Sequence, residues 1–381
     1  MDCKLLFEKI DKLEEKYIQT LKDACDIESL TRDKAGVDEA GRFFIEKAKE
    51  LGFKTEVYPQ EKAGDVVVIT MNENSKEAPV AISGHIDTVH PKGRFGYPPT
   101  REEGDRLIGP GVCDCKGGVV AGLLAMEALK EVGYTKRPVM LLLQTDEEVG
   151  SSLSNLATIN YICERSKNAV AFLNLEGATP GVVCLERKGI LVYKLKVKGI
   201  AKHSSTCDQG ASAIAEACHK ILKLEELKDP EAITCNCGVI KGGTVSNSVA
   251  EYCEFTVDFR YSTDKEREMA EKFVYEVANN NTIKGCSCEV EVVSSRPAME
   301  KSERNYKLAE FINQVYAKEG LSILKPNKRL GGSDAAYTSK YVPTVDNLGT
   351  EGGDIHSERE YMEKASLVRS AKRIASVLFH I

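Results

Sequence analysis

The sequence predicts an α/β domain interrupted by a smaller α+β unit of ferredoxin-like order. Three observations carry this. Up to about residue 188, short apolar runs alternate with helical patterns. Near Gly189 the apolar period changes to two and opens a strand–helix–strand–strand–helix–strand succession. Beyond residue 297 a helix, a strand and a helix resume the first pattern. The expected division is 1–188 and 298–381 for the two parts of the larger domain, with 189–297 inserted between them.

Taken in order, "MDCKLLFEKIDKLEEKY" spaces its apolar residues as a helix does, and Val37 to Leu51 keep one apolar face. "DVVVIT" (65–70), "PVAIS" (79–83), "PVMLLLQ" (138–144) and "AVAFLNL" (169–175) are continuous apolar runs, which read as strands buried on both faces. "KGGVVAGLLAMEALKEVG" supplies a helix between the second and third of them. In the inserted unit "ILVYKLKVKG" alternates as a half-buried strand, and "ASAIAEACHKILKLEEL" is an amphipathic helix. The strands "AITCNCGVI" and "AEYCEFTVDFRY", the helix "DKEREMAEKFVYEVANN" and the strand "CSCEVEVVSS" complete the βαββαβ order. After "RPAM" come a helix, the strand "YVPTVDNLG" and a final helix from Ser366.

Composition agrees with two domains, since 381 residues exceed what one core usually supports. Lys and Arg number 52 against 58 Asp and Glu, a net charge of -6. With no polybasic tract, nucleic acid and anionic membrane surfaces are poor partners. No run has the length of a membrane span, and the N-terminal pattern lacks the apolar core of a signal peptide. The 13 cysteines are scattered without CxxC spacing. "CNC" and "CSC" read as period-two positions on strands, and the whole suits a reducing cytoplasm.

The chemistry gathers at strand ends. His85 and Asp87 follow "PVAIS", Asp146, Glu147 and Glu148 follow "PVMLLLQ", Glu176 follows "AVAFLNL", and His356 follows "PTVDNLG". Open α/β sheets bind ligands at the carboxyl ends of their strands, so these groups are expected to converge. Asp114, in "GPGVCDCKGG" at a helix entry, joins them. That stretch does not fit a phosphate cradle: Asp114 stands where a dinucleotide fingerprint needs Gly, and Lys116-Gly117 replaces the Lys-Ser/Thr of a P-loop. The His85-x-Asp87 spacing would place both side chains on one strand face, with Asp87 accepting the second imidazole N–H. His90, His219 and His380 are read as unspecialised.

"GHIDTV", "GPGVCDCKGG", "TDEEVGS", "LEGATPG", "KHSSTCDQGASAI" and "GGDIHSE" resemble, in order and spacing, the M20 metallopeptidases, above all their glutamate carboxypeptidase-like group. "GGTVSNSVAEYCEFTVDFRY", "SSRPAM" and "LGGSDAAY" resemble that group's lid and hinge segments. The resemblance implies a zinc-exopeptidase-type α/β catalytic domain, a mixed sheet flanked by helices, with an inserted ferredoxin-like lid and dimerisation domain. It implies two zinc ions per chain, one held by His85, Asp114 and Glu176, the other by Asp114, Glu148 and His356. Cobalt or manganese would suit the same nitrogen and oxygen donors. Glu147 would be the general base, and Asp87 would steady His85. His203 would donate to the developing oxyanion, while Arg260, Asn247, Gly332 and Ser333 would bind substrate.

The function so implied is hydrolysis of an amide bond beside a carboxylate-bearing residue, by a carboxypeptidase or dipeptidase working as a homodimer on small peptides. An N-acyl-amino-acid deacylase of the acetylornithine or succinyl-diaminopimelate type would use the same groups. A binding protein on this fold would be expected to lack Glu147 or a ligand, and all are present. Cys115 and Gly177 stand where relatives often carry a second acid and a proline.

Overall fold

The computed structural model describes residues 3–229 and 232–381. Met1 and Asp2 of the first helical pattern lie outside them. The chain forms two compact units, one from Met1–Leu185, Lys301–Asn327 and Ser333–Ile381, the other from Glu186–Glu300 and Lys328–Gly332.

The larger unit is built on a six-stranded mixed sheet. Its order is Lys54–Tyr58, Val66–Met71, Val139–Gln144, Val80–His85, Phe172–Asn174 and Thr344–Val345. The first two pairings are antiparallel and the other three parallel. Side chains alternate between two apolar layers. Val67, Ile69, Leu141 and Leu143 face one, while Val66, Val68, Met140 and Leu142 face the other. Burial on both faces explains why these strands are uninterrupted apolar runs in the sequence. Lys116–Glu131 packs on the sheet and against Lys364–His380, and its apolar residues are buried almost all round. On the opposite layer Ile159 and Ile162 of the helix Ala157–Ser166 close the core.

The three central parallel strands, Val139–Gln144, Val80–His85 and Phe172–Asn174, end side by side, so the segments following them share one edge. Two expected strands are shorter than their apolar runs. Only Phe172–Asn174 of "AVAFLNL" and Thr344–Val345 of "YVPTVDNLG" form strands of this sheet. In the second case Asp346 turns into a buried polar cluster and Asn347 adopts φ 66°, which ends the ladder.

The smaller unit has a four-stranded antiparallel sheet in the order Thr234–Gly242, Tyr252–Tyr261, Gly189–Lys198 and Ser287–Arg296. With the helices Ala213–Glu225 and Asp264–Asn279 between strands, this is the ferredoxin-like arrangement. Leu191, Tyr193, Phe255, Phe259 and Val274 are among its core residues.

Candidate metal centre

His85 is the last residue of its strand, and its imidazole is 2% exposed. Nε2 lies 3.0 Å from Asp114 Oδ1 and 3.8 Å from Glu176 Oε1. Nδ1 is 3.0 Å from the backbone carbonyl of Asp87 and 3.5 Å from its Oδ1. The carbonyl, rather than the expected carboxylate, is thus the nearer acceptor. The strand stops at His85, so the two-residue strand period does not extend to Asp87. Donation from Nδ1 to this carbonyl leaves Nε2 of the neutral ring with its lone pair free to coordinate a cation.

Asp114 links two groups of donors. Its Oδ1 faces His85, and its Oδ2 lies 3.3 Å from Nε2 of His356, which is 3.1 Å from Glu148 Oε2. Donor atoms of His85, Asp114 and Glu148 lie within 4.8 Å of one another, as do those of His85, Cys115 and Glu176. His356 adopts φ 63°, in the left-handed region sparsely used by residues other than glycine. The helix carrying the Asp114 loop comes close under Glu176 because Gly118 has no Cβ; one built there would lie 2.0 Å from the Leu175 carbonyl oxygen.

Histidines and carboxylates of the cluster shift one another's protonation. Burial opposes ionisation of Asp114, but hydrogen bonds from His356 and His85 win and keep its carboxyl well below the usual range. Donation to the Asp114 and Glu148 carboxylates pushes His356 up to about 10. Burial raises Glu148 to about 7, with His356 opposing. Burial also works against a charged His85, yet its acidic surroundings raise its pKa well above normal. A pocket of carboxylates that draws positive charge onto both imidazoles has the donor chemistry of a divalent cation site, so the residues fit the group that the resemblance implies.

Neighbouring side chains hold this geometry. Asp87, fully buried, accepts from Thr31 Oγ1 at 2.8 Å and from the backbone N–H groups of Glu147 and Glu148 at 3.3 Å. Asp146 accepts from Thr158 Oγ1 at 2.6 Å and Ser154 N–H at 3.0 Å, steadying the turn from its other side. The sequence reading missed Thr31 and Glu360, and saw in Cys115 only a departure from the family's pattern. The thiol of Cys115 accepts from His85 N–H at 3.3 Å and donates to the Leu175 carbonyl at 3.5 Å. His90, taken as unspecialised, is buried with Nε2 2.8 Å from Glu360 Oε2.

The remaining expected residues, Ser333 excepted, belong to the smaller unit. In the smaller unit His203 is exposed, and its Nδ1 accepts from the Ser205 N–H at 3.2 Å, which puts the proton of the neutral ring on Nε2. The Asn247 carbonyl accepts from Ser204 N–H at 2.9 Å, so the His203 and Asn247 loops adjoin. Arg260 makes a two-pronged pair with Asp258 at 2.7 and 2.9 Å, the strand-face ion pair that its position also allowed. Gly332 is half-buried in the same unit. Ser333, in the larger unit, is fully buried, with its hydroxyl committed to Asp346 and Asn174. Its hydroxyl is therefore occupied, and the expectation for this residue rests on its backbone N–H.

Comparison with known proteins gives this geometry a context. Carboxypeptidase G2 of Pseudomonas sp. (strain RS-16) is 29% identical over 99% of this chain and 92% of its own. Acetylornithine deacetylase of Myxococcus xanthus is 25% identical, covering 83% of each chain. Among solved structures, a tripeptidase from Staphylococcus aureus superposes with a TM-score of 0.77 at 21% identity, over 96% of this chain and 97% of that one. Peptidase family M20/M25/M40 matches residues 81–380, and the chain belongs to that family.

Proposed function

We propose that this hydrolase is a dinuclear zinc enzyme cleaving an amide bond beside a carboxylate-bearing residue, as a carboxypeptidase or dipeptidase. One observation carries the reading: the two oxygens of Asp114 face His85 and His356 separately, at 3.0 and 3.3 Å. His85, Asp114 and Glu176 would hold one cation, and Asp114, Glu148 and His356 the other, with cobalt or manganese as alternatives. Bound, the cations supply Lewis-acid chemistry, polarising the scissile carbonyl and acidifying water.

Glu147 would take the proton of the attacking water and pass it to the leaving amine. Its backbone N–H is tied to Asp87, and its buried position suits a base that must work away from bulk solvent. His203, with Nε2–H as donor, would stabilise the oxyanion. Arg260 would bind a substrate carboxylate by exchanging it for Asp258, with Asn247 and the backbone at Gly332 adding donors.

The inserted unit would also pair two chains. Its two opposite edge strands, Thr234–Gly242 with exposed Val239 and Ile240 and Ser287–Arg296 with exposed Val292 and Val293, each offer an apolar edge that a second copy would cover. Among the described residues no helix is long and apolar enough to cross a membrane. The many thiols suit a cytoplasmic setting.

The test is metal analysis with a substrate panel. Two ions per chain, activity lost on chelation and restored by zinc or cobalt, and turnover of peptides ending in a free carboxylate are expected. Full activity in metal-free protein would refute the reading. The Myxococcus relative motivates the second reading: preferential turnover of N-acyl amino acids would make the chain a deacylase.

A further inference from the structure

We infer that Glu360 is a positioning residue for the metal centre, its one carboxylate fastening together the loops that carry His85, Asp114 and His356. The inference rests on the metal-centre reading above. Glu360 is fully buried. Its Oε1 accepts from the backbone N–H groups of Cys113 and Asp114, both at 3.0 Å. Its Oε2 takes the Nε2–H of His90 at 2.8 Å, and His90 itself is 3% exposed, with Phe95 edge-on to its ring.

The backbone of Glu360 belongs to the same array. Its N–H donates to the Ser357 carbonyl at 3.1 Å, closing a turn just beyond His356, and its carbonyl accepts from Gly109 N–H at 3.2 Å. Gly109 opens the loop that ends at Asp114, while His90 stands five residues beyond His85. Each of the three ligand-bearing loops is thus held by Glu360 or contains it.

A buried carboxylate is costly unless its acceptor sites are filled, and here three donors fill them. Two N–H groups converging on one oxygen fix the two peptide planes that flank the Cα of Cys113, the second of which leads into Asp114. That sets the direction in which the Asp114 side chain leaves the backbone. Other buried glutamates serve packing instead: Glu127 meets Lys16 and Tyr17, and Glu351 meets Arg369 and Arg373. Glu360 differs in gripping the backbone of a residue that faces both histidines of the cluster.

The experiment compares Glu360→Ala, which removes the acceptor, with Glu360→Gln, whose amide oxygen can still accept both N–H groups. Zinc affinity is read by competition with a chromogenic chelator, and geometry by the visible spectrum of the cobalt-loaded protein. Loss of an outer partner typically weakens metal binding about 10- to 100-fold. That loss and an altered cobalt spectrum are expected for Glu360→Ala, with most of the affinity recovered in Glu360→Gln. Wild-type affinity and spectrum in folded Glu360→Ala would overturn the inference, as would an equal loss in both variants. Should Glu360→Ala fail to fold, His90→Asn decides: weakened affinity with a changed spectrum supports the inference, and unchanged binding overturns it. Absence of metal binding by the wild-type chain would refute the metal-centre reading and this inference together, whereas normal wild-type binding with an unaffected Glu360→Ala refutes this inference alone.

Discussion

The backbone N–H of Glu148 donates to Oδ2 of Asp87 at 3.3 Å. The other oxygen of the same carboxylate takes the N–H of Glu147. Asp87 thereby holds the turn from which the two glutamates depart. An amide offers only one acceptor oxygen, so in Asp87→Asn one of these N–H groups, or the Thr31 hydroxyl, meets an NH2 group instead. Turnover is expected to fall about 10- to 100-fold, the usual loss for a supporting partner. Steady-state kinetics beside metal analysis checks this, and unchanged kinetics would leave Asp87 no part in holding the turn.

Neighbouring Glu147 and Glu148 are expected to separate cleanly by mutation. Glu148 Oε2 meets His356 at 3.1 Å, so Glu148→Gln should lower metal content. Glu147→Gln should keep the metal and lose about 10²- to 10⁴-fold in turnover, as removal of a general base does. The opposite pattern of metal loss would exchange the two assignments.

Arg260→Ala should raise KM for substrates with a free carboxylate far more than for their amidated analogues, because only the former lose an ion pair. Arg260 is paired with Asp258, so Asp258→Asn should release it and lower KM for the same substrates. Equal effects on both substrate types would confine Arg260 to the strand face.

If two chains pair through the inserted unit and His203 serves its partner's site, two inactive variants should complement one another. Mixed dimers of Glu147→Gln and His203→Ala contain one site with both groups intact. Random mixing makes about half the dimers mixed, so activity should recover to roughly a quarter of wild type. Refolded mixtures with proven subunit exchange that stay inactive would place His203 in its own chain's site.

Glu216 supplies a prediction on acid stability. Burial opposes its charge, but the N–H groups of Ile283 and Thr282 and the Lys220 ammonium hold its carboxyl below the ordinary range. A depressed folded pKa contributes stability that is complete above the unfolded value and disappears as pH falls through the folded one. Glu216→Gln should therefore be destabilised at pH 7 by about 1–3 kcal/mol, the scale of a hydrogen-bonded charge. Denaturant titrations should show this gap closing in acid; a gap independent of pH would show that its charge contributes nothing.

The sequence exposed some of this arrangement more readily than the rest. Runs such as "PVMLLLQ" are legible as strands because burial on both faces leaves no polar position in them. The acids and histidines after them are legible because parallel strands deliver their ends to one edge. Glu360 was hidden because its partner amide at Asp114 is 246 residues away, and nothing in the local pattern sets it apart from Glu358 beside it. Thr31, 56 residues from Asp87, was hidden for the same reason. His90 looked ordinary because only the fold shows that it is buried against a carboxylate. For Arg260, strand position allowed either a substrate carboxylate or an ion pair along its own strand face, and only the fold shows that Asp258, two residues back, occupies its guanidinium.

The larger unit is assembled from three separate stretches of chain, with residues 186–300 intervening before it resumes. On the ribosome, the strands leading to His85 and Glu176 emerge well before His356 and before the helix Lys364–His380 that covers Lys116–Glu131. Until that helix arrives, a nearly all-apolar helix has one side open to water. The nascent chain therefore passes through a stage that invites chaperone binding, while the intervening unit has its own core and is fully synthesised earlier. Cellular yield should depend on how that interval is protected, independently of how active the finished enzyme is.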